Sequence, residues 1–405
     1  MPDDAPAHSS HDTSEAPHGA VPHAADRGFR AFDATIAPAA PHRVRFTRGA
    51  LDPANPTLRD LLAIDPHARA RRMVVVADEG FVAATPSFER DLRAYAAAHS
   101  ETFPAIVSFE TAPGGEAAKE SMAVADRVNE LVERHAIDRK SFVLAAGGGA
   151  LLDAAGFGAA TAHRGVRLVR FATTVLAQDD AAMGVKNGVN RFGKKNFTGA
   201  FAVPFAVVCD ESWLETLPPA VFRAGFSEAV KIALLKDPAF FARIERDATR
   251  IARGDLAAAT PVVRRSAELH LRHIVDGGDP FETGEARPLD FGHWAAHRLE
   301  SMSAHAVSHG DAVALGLLLD CGYARLAGWL DEATHARIAA TITALGLPTR
   351  HPLLADTARL LAGIEEFREH LGGTLHVTML RAIGEGFEVH ALDPALVARA
   401  AAALA

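Results

Sequence analysis

The sequence predicts two folded domains, an α/β domain built on a parallel sheet and an all-α domain that follows it. Between residues 28 and 217, short apolar runs alternate with helical segments, a pattern typical of a parallel sheet covered on both faces. Over residues 218–405 the pattern is mostly helical, and Pro218-Pro219 marks the change because proline is tolerated in the first turn of a helix. A chain of 405 residues has room for two or three domains.

The elements follow in order along the chain. Buried strands are predicted at 73–78, 103–109, 141–146, 166–171 and 205–210, with helices at 117–135 and 151–162. Further helices are predicted near 220–236, 238–252, 256–276, 289–302 and 309–328, and short strands at 374–380 and 386–390. The helix at 309–328 is apolar nearly all round, so it should be the buried centre of a bundle.

Residues 1–27 are predicted to be a disordered tail, because they are rich in Ala, Pro, His, Ser and Asp and show no apolar period. The histidines of this tail could bind a metal ion weakly; the alternative is a solvated segment that binds nothing. The start of the chain lacks the basic and then apolar pattern of a secretory signal, and no run of 18 apolar residues predicts a membrane span.

Charge and cysteine content narrow the classes of partner. The net charge of -8 argues against nucleic acid or an anionic membrane as the main partner. Cys209 and Cys321 stand far apart in apolar surroundings, so we expect neither a disulfide framework nor a cysteine zinc site. A reducing, cytoplasmic location fits this cysteine usage.

Three consecutive glycines at 147–149 follow a predicted strand and precede a predicted helix. Such a turn lets the backbone approach a pyrophosphate, while the helix amino terminus supplies N–H donors and positive potential. Asp153, Thr173 and Thr174 are polar candidates nearby. The spacing differs from the ordinary dinucleotide fingerprint, and a tight turn without a ligand is the alternative.

A candidate metal site is spread over the second domain. His293 and His297 are four residues apart and share one face of a predicted helix, His309 begins the next helix, and Glu228 lies upstream. One glutamate and two histidines, with positions left for substrate oxygens, suit a catalytic zinc-type site. Because the chain has 20 histidines, a surface pair at this spacing is the alternative.

A glycine-rich stretch from 180 to 199 concentrates lysines and amides within an acidic protein, which predicts a pocket for an anion such as phosphate. A solvated basic loop is the alternative, although the interleaved Phe192, Phe197 and Phe201 favour partial burial. The polar members of this stretch are Asp180, Lys186, Asn190, Lys194, Lys195 and Asn196.

In their order along residues 70–345, these motifs resemble the dehydroquinate synthase superfamily, whose members are sugar phosphate cyclases. Many separate motifs in the right order are more specific than any one of them. The matching segments are 147–157, 163–165, 173–178, 193–196, 199–201, 216–218, 224–231, 291–293 and 309–313, with Lys186 and His297. The resemblance implies a Rossmann-like NAD-binding domain and an all-α metal-binding domain.

The resemblance also implies roles for individual residues. The metal ligands would be Glu228, His293 and His309. NAD would be held by Asp78, Glu116, Lys119, Gly148, Gly149, Asp153, Thr173, Thr174 and Thr216. The substrate pocket would contain Asp180, Lys186, Lys195, Asn196, Lys231, Arg272 and His297, with Lys186, Lys195, Asn196 and His297 facing the phosphate. Arg164 matches an arginine that reaches into the neighbouring subunit's site in the family, which implies a homodimer.

The chemistry that the resemblance implies is a net lyase reaction on a small sugar phosphate, with NAD and Zn²⁺ or Co²⁺ as cofactors. A ring alcohol is oxidised by NAD, phosphate leaves by β-elimination, and the hydride returns. Ring opening and an intramolecular aldol step then close the carbocycle. Cationic side chains would stabilise the departing phosphate.

Around the first metal histidine the chain departs from the family pattern. The family has an arginine and an asparagine that serve a substrate carboxylate, and counting back from His293 their positions hold Ala286 and Asp290. An aspartate would repel a carboxylate, and Arg287 would compensate only if the loop shifts. Arg272 stands where the family has a lysine, and His370 lies in the region where the family has a second, later lysine.

Asp290 and His370 resemble the valiolone-forming cyclases, which use sedoheptulose 7-phosphate. We therefore predict a cyclase for a neutral ketose phosphate that yields a C7 cyclitol. The first alternative is a 3-dehydroquinate synthase that tolerates Asp290. A metal-dependent alcohol or glycerol dehydrogenase is a second alternative, but it would not need the lysine-rich stretch. A non-catalytic relative is a third, against which the complete Glu228, His293 and His309 set argues.

Overall fold

A six-stranded parallel sheet organises the first half of the chain. The computed structural model describes residues 40–277, 279, 281, 288–370 and 373–405, so the predicted tail over 1–27 lies outside the described residues. The strands of the sheet are β1 (Val44–Thr47), β2 (Arg72–Asp78), β3 (Ala105–Ala112), β4 (Phe142–Gly147), β5 (Arg167–Ala172) and β8 (Ala206–Asp210). They lie in the order β1-β8-β5-β4-β2-β3, and every pairing is parallel.

Helices cover both faces of this sheet, which is why its strands are continuous apolar runs. Alternate side chains of β2 and β4 point to opposite faces. Val74 and Val143 join one core with the helices over 123–134 and 149–161, whereas Val75 and Leu144 join another with the helices over 57–62 and 88–98. The helices are α1 (Thr57–Leu62), α2 (Glu79–Ala84), α3 (Phe88–Ala98), α4 (Ala123–Arg134), α5 (Gly149–Thr161) and α6 (Val175–Asp179).

The second half is a helical bundle around one buried helix. Its helices are α7 (Pro219–Ala224), α8 (Phe226–Lys236), α9 (Pro238–Ala252), α10 (Leu256–Asp276), α11 (His293–Met302), α12 (His309–Leu326), α13 (Glu332–Ala344), α14 (Thr357–His370) and α15 (Pro394–Ala402). From Ala312 to Ala324 every residue of α12 is buried, as predicted for a helix that is apolar on all sides. Two antiparallel hairpins complete the fold, formed by β6 (Lys186–Arg191) with β7 (Lys194–Phe201) and by β9 (Val377–Ala382) with β10 (Glu385–Val389).

The predicted fold class, a parallel α/β half followed by a helical half, is confirmed. Residues 41–405 form one compact unit, so the predicted boundary between residues 217 and 218 stays a prediction. Among the described helices, none has the length and apolar character that a membrane span requires.

Three of the differences from the sequence prediction affect elements near the candidate site. The helix expected at 220–236 is two helices that meet at Gly225, where a Cβ would lie 2.5 Å from the backbone nitrogen of Leu176. The helix expected from residue 117 begins at Ala123, after a 3₁₀ turn. The glycine-rich stretch expected to be a loop forms the β6–β7 hairpin, because Phe192 and Gly193 supply the positive φ angles of a tight turn.

Candidate active site

The carboxyl ends of β2, β4 and β5 lie side by side, and each leads into a turn with predicted site residues. Asp78 caps α2 by accepting a hydrogen bond from the backbone nitrogen of Phe81 (3.0 Å), and Thr174 caps α6 in the same way through Ala177 (3.1 Å). Between them, Gly148 precedes α5. In open α/β sheets this edge is where ligands bind.

The turn at Gly148 has the geometry of an anion cradle. Among the described side chains, none caps the start of α5, so its first backbone N–H groups stay available. Close packing surrounds the turn, since a Cβ on Gly149 would lie 2.8 Å from the Cβ of Ala181 and one on Gly114 would lie 2.0 Å from Asp78. These observations fit the pyrophosphate of a dinucleotide.

Other predicted cofactor residues gather beside this turn. Lys119, which is buried, pairs through Nζ with Asp153 at 2.7 Å. The side-chain amide of Asn190 donates to Glu116 (2.6 Å), and its backbone nitrogen donates to the carbonyl of Lys119 (2.7 Å). The cofactor residues are thereby tied to the β6–β7 hairpin. Of the remaining two, Thr173 is buried at the end of β5, and the hydroxyl of Thr216 donates to the carbonyl of Trp213 (2.8 Å).

The structure brings the three predicted metal ligands together from three helices. Glu228 lies on α8, and His293 and His309 are the first residues of α11 and α12. The Nε2 atoms of both histidines lie 3.4 Å from Oε1 of Glu228. Ligands bound tetrahedrally at about 2.0–2.1 Å from one zinc ion are about 3.3–3.4 Å apart, so the cluster fits a divalent ion of this type.

The electrostatics of Glu228 also suit a cation site. Its carboxylate is fully buried, and burial by itself raises its pKa. Lys231 and His293 outweigh that effect and hold the pKa well below the usual value, so the carboxylate is ionised. Nζ of Lys231 lies 2.5 Å from Oε2, on the side away from the two imidazoles.

Two glycines and a buried aspartate fix the position of His293. Gly292 has φ +77, and a Cβ on Gly316 of α12 would lie 2.0 Å from the carbonyl oxygen of Gly292, so α11 starts in close contact with α12. Asp320 accepts hydrogen bonds from the backbone nitrogen of Gly292 and from the indole of Trp294, both at 2.9 Å. Burial raises the pKa of Asp320 to about 7 despite these two donors.

Glu300 is a site residue that the sequence analysis missed. Nδ1 of His309 donates to its Oε2 (3.3 Å), and Nζ of Lys195 lies 2.5 Å from its Oε1. Against the effect of burial, Glu300 and Glu228 together raise the pKa of His309 to about 9, and the bond to Glu300 orients its Nε2 toward Glu228. The signal was in the spacing, because Glu300 stands three residues after His297 and shares its helix face.

His297 completes the face of α11 but is not one of the three ligands. Its ring centroid lies 5.5 Å from that of His293 and 6.0 Å from that of His309. Burial, with the neighbouring His293, holds the pKa of His297 well below the usual value, so it is neutral near pH 7. A neutral imidazole in this position can accept or donate one hydrogen bond.

The structure corrects the prediction for Arg272, which does not enter the site. Its side chain is 64% exposed and pairs with Glu268 (2.6 Å). Two residues earlier, about 200° around the helix, His270 is fully buried, and its Nε2 lies 3.4 Å from Asp180. Asp180 also lies 3.9 Å from Nζ of Lys231, so His270 takes the place expected for Arg272.

The β6–β7 hairpin carries the predicted phosphate residues. Lys186 starts β6 with an exposed side chain, and the backbone nitrogen of Asn196 donates to Asn190 (2.9 Å). Nζ of Lys195 lies 3.7 Å from Glu116 in addition to its contact with Glu300. The partial burial predicted for this stretch is confirmed, because the middle of β6 is buried and Lys195 is only 18% exposed. The phenylalanines that suggested it lie instead on the outer surface of the hairpin; they are Phe192, Phe197 and Phe201.

Beneath this hairpin, Arg170 is fully buried on β5. Its guanidinium donates to the carbonyl oxygens of Gly184 (2.7 Å) and Lys186 (3.1 Å) and to Oδ1 of Asn187 (2.7 Å). Among the described carboxylates, none lies within ion-pair distance of it. Arg170 therefore fixes the backbone that leads from Asp180 to Lys186.

Two further predicted residues lie outside the clusters described so far. Arg164 is exposed at the far end of α5, about 20 Å from the glycine turn, so it does not contribute to the site of its own chain. Asp290 precedes α11, and its charge helps to raise the pKa of Lys231. Ala286, Arg287 and the side chain of His370 lie outside the described part of the structure.

The chain is similar to known proteins over most of its length. Residues 110–224 match the family 3-dehydroquinate synthase N-terminal, and residues 225–366 match 3-dehydroquinate synthase C-terminal. The 3-dehydroquinate synthase of Paracoccus denitrificans (strain Pd 1222) is 34% identical over 379 residues, 92% of this chain and 96% of that protein. The 2-epi-5-epi-valiolone synthase of Streptomyces glaucescens is 33% identical over 375 residues, 91% of this chain and 92% of that protein.

A solved structure gives the same picture. ValA, a 2-epi-5-epi-valiolone synthase from Streptomyces hygroscopicus subsp. jinggangensis 5008 with NAD+ and Zn2+ bound, superposes with a TM-score of 0.82 and is 26% identical. The match covers 92% of this chain and 99% of that chain.

Proposed function

The chain belongs to the 3-dehydroquinate synthase family, a branch of the sugar phosphate cyclases, and on this premise we propose that its substrate is a neutral ketose phosphate such as sedoheptulose 7-phosphate. The product would then be a C7 cyclitol. Relatives named for two different products, 3-dehydroquinate and 2-epi-5-epi-valiolone, are 34% and 33% identical to the chain, so overall identity does not separate the two activities. The choice rests on the charges that surround Lys231.

The observation that carries the proposal is the excess of carboxylates at this point. Burial lowers the pKa of Lys231, but Glu228, Asp180 and Asp290 together raise it above the usual value. Lys231 is thus a cation already matched by three acids, and the lysine or arginine expected on α10 is replaced by His270. Even with Glu228 committed to a bound ion, Asp180 and Asp290 offset Lys231, so a substrate carboxylate would find no spare cation here, whereas sugar hydroxyls can donate hydrogen bonds to both aspartates.

The cofactors that this proposal includes fit the residues present. NAD would lie over the uncapped start of α5, near Lys119 and Asp153, and Glu228, His293 and His309 would hold a zinc-type ion. When bound, the dinucleotide would take up and return a hydride, and the ion would act as a Lewis acid on substrate hydroxyls.

The protein's own side chains would perform the rest of the chemistry. Lys186, Lys195 and the amide of Asn196 would bind the phosphate and stabilise its negative charge as it leaves. Glu300 holds Lys195 in place through the 2.5 Å contact between Oε1 and Nζ. Both side chains are largely buried, so water screens this ion pair little. The neutral His297 would exchange a hydrogen bond or proton with a substrate oxygen beside the ligand histidines.

The oligomeric state belongs to the same proposal. Arg164 lies at the amino-terminal edge of the sheet and is exposed, and both it and His163 have positive φ angles. We propose that it reaches the phosphate site of a second subunit in a homodimer. Mixing inactive Arg164→Ala and Lys186→Ala proteins should restore part of the activity if subunits exchange.

The test is a comparison of substrates with purified enzyme, NAD and Zn²⁺ or Co²⁺. Released phosphate and NADH absorbance should be measured with sedoheptulose 7-phosphate and with the carboxylate-bearing substrate of 3-dehydroquinate synthases. We expect phosphate release without NADH accumulation, and preference for the neutral substrate. NADH accumulation with an alcohol and no phosphate release would instead indicate a dehydrogenase.

Asp290→Asn tests the specificity argument directly. Removing this negative charge should shift the ratio of kcat/KM toward the carboxylate-bearing substrate by at least about tenfold, the factor that corresponds to about 1.4 kcal/mol. Asp356→Asn, at the surface before α14, is the matched control and should keep the wild-type ratio. An unchanged ratio in Asp290→Asn would contradict the proposed role of Asp290.

A further inference from the structure

The β9–β10 hairpin carries two histidines and a glutamate on one face. Val389 pairs with Val377, so the next positions outward, His390 and His376, stand opposite each other. Glu388 is two residues before His390 and therefore points to the same face of the strand. The register of the hairpin therefore places all three side chains together: His376 and His390 are opposite each other, and Glu388 and His390 are two residues apart on one strand.

The side chains of this cluster converge. Nδ1 of His376 lies 2.8 Å and Nε2 of His390 lies 3.6 Å from the same oxygen, Oε1 of Glu388. Nδ1 of His390 donates to the carbonyl oxygen of Leu375 (2.9 Å), which leaves the lone pair of its Nε2 directed toward Glu388. Metal-bound histidines are commonly fixed in this way by a hydrogen bond to the other ring nitrogen.

From this geometry we propose that His376, Glu388 and His390 form a second metal site, independent of the cluster at Glu228. The ligand atoms all lie within 4.8 Å of one another, and the two contacts at Oε1 bracket the spacing that ligands of one zinc ion have. Two imidazoles and one carboxylate favour Zn²⁺, Co²⁺, Ni²⁺ or Cu²⁺ over Mg²⁺ or Ca²⁺.

Access and role follow from burial. His376 is 6% exposed, whereas Glu388 and His390 are 30% and 59% exposed, so an ion can enter from solvent and reach a fixed inner ligand. The ion would replace the proton that Nδ1 of His376 shares with Glu388. It would join the start of β9 to the end of β10, beside α8, and thereby stabilise the hairpin rather than take part in cyclisation.

The number of bound ions per chain tests the proposal. Full-length protein, stripped with chelator, should be equilibrated with Zn²⁺ and its metal content measured for the wild type, His390→Ala and Glu388→Gln. We expect each variant to bind about one ion fewer than the wild type and to keep wild-type cyclase turnover. His67→Ala, which removes an exposed histidine elsewhere, should match the wild type. Ions held by histidines of residues 1–27 are common to all four proteins and cancel in the comparison.

Thermal unfolding separates a lost site from a damaged fold. In chelator, His390→Ala should unfold close to the wild type, because the lost side chain is largely exposed and gives up one hydrogen bond, to the carbonyl of Leu375. Added Zn²⁺ should raise the Tm of the wild type more than that of the variant. Equal metal content in wild type, His390→Ala and Glu388→Gln would overturn the proposal and leave a plain His–Glu–His hydrogen-bond network.

Discussion

Replacing Asp320 by asparagine should remove a pH-dependent loss of stability from the protein. Asp320 is fully buried, and burial raises its pKa from 3.8 to about 7. A carboxyl whose folded pKa is raised stabilises the protein below its unfolded pKa, and that stability is lost as the pH rises to 7. With these two values, the linkage relation gives the wild type a loss of roughly 2–3 kcal/mol between pH 5 and pH 8.

Urea unfolding of metal-free protein at about pH 5 and about pH 8 measures this loss. Subtracting the change seen in Asp320→Asn from the change in the wild type isolates the contribution of Asp320, since the other titrating groups are common to both. Trp294→Phe is a second, opposite test, because it removes a donor that holds the Asp320 pKa down and should extend the loss to higher pH. Equal pH dependence in the wild type and Asp320→Asn would refute the reasoning.

Three further predictions concern the metal cluster. His293→Ala should lose the ion bound with Glu228 and all cyclase turnover; retained activity with unchanged metal content would remove the assignment. Glu300→Gln should weaken Zn²⁺ binding by about 10- to 100-fold in chelator competition, since it orients His309; unchanged affinity would show that the hydrogen bond does not matter. Gly316→Ala should lower the free energy of unfolding in urea by about 1–3 kcal/mol, because its Cβ would meet the carbonyl of Gly292; wild-type stability would contradict this packing.

The elements that carry a strong period were predictable from the sequence. Apolar runs gave the five strands β2, β3, β4, β5 and β8 within a few residues, and the all-apolar pattern gave the buried α12. The short edge strand β1 was missed, because four residues carry too little period. The break at Gly225 was also missed, since it results from contact with α6, which is distant in sequence.

The metal cluster was predictable because its residue types are restrictive, and the structure brings Glu228, His293 and His309 together as the sequence suggested. The substrate pocket was less so. The resemblance to the family assigned a substrate role to the position of Arg272, but it could not show which way that side chain points. In the structure His270 faces Asp180 instead. The packing of α10 against the rest of the fold decides whether residue 270 or residue 272 faces the site, and no local sequence motif predicts that packing.

Arg170 has a consequence for how an anion would be recognised. Among the described residues, its hydrogen-bond partners are neutral oxygens, and the charge of Asp153 acts on it from beyond ion-pair distance, so the guanidinium adds to the attractive potential above it. Because those same bonds shape the loop in advance, ligand arrival requires little reordering of the main chain. Neutralising Lys186 at the surface would therefore leave a residual attraction for anions, to which Lys195 and the buried Arg170 both contribute.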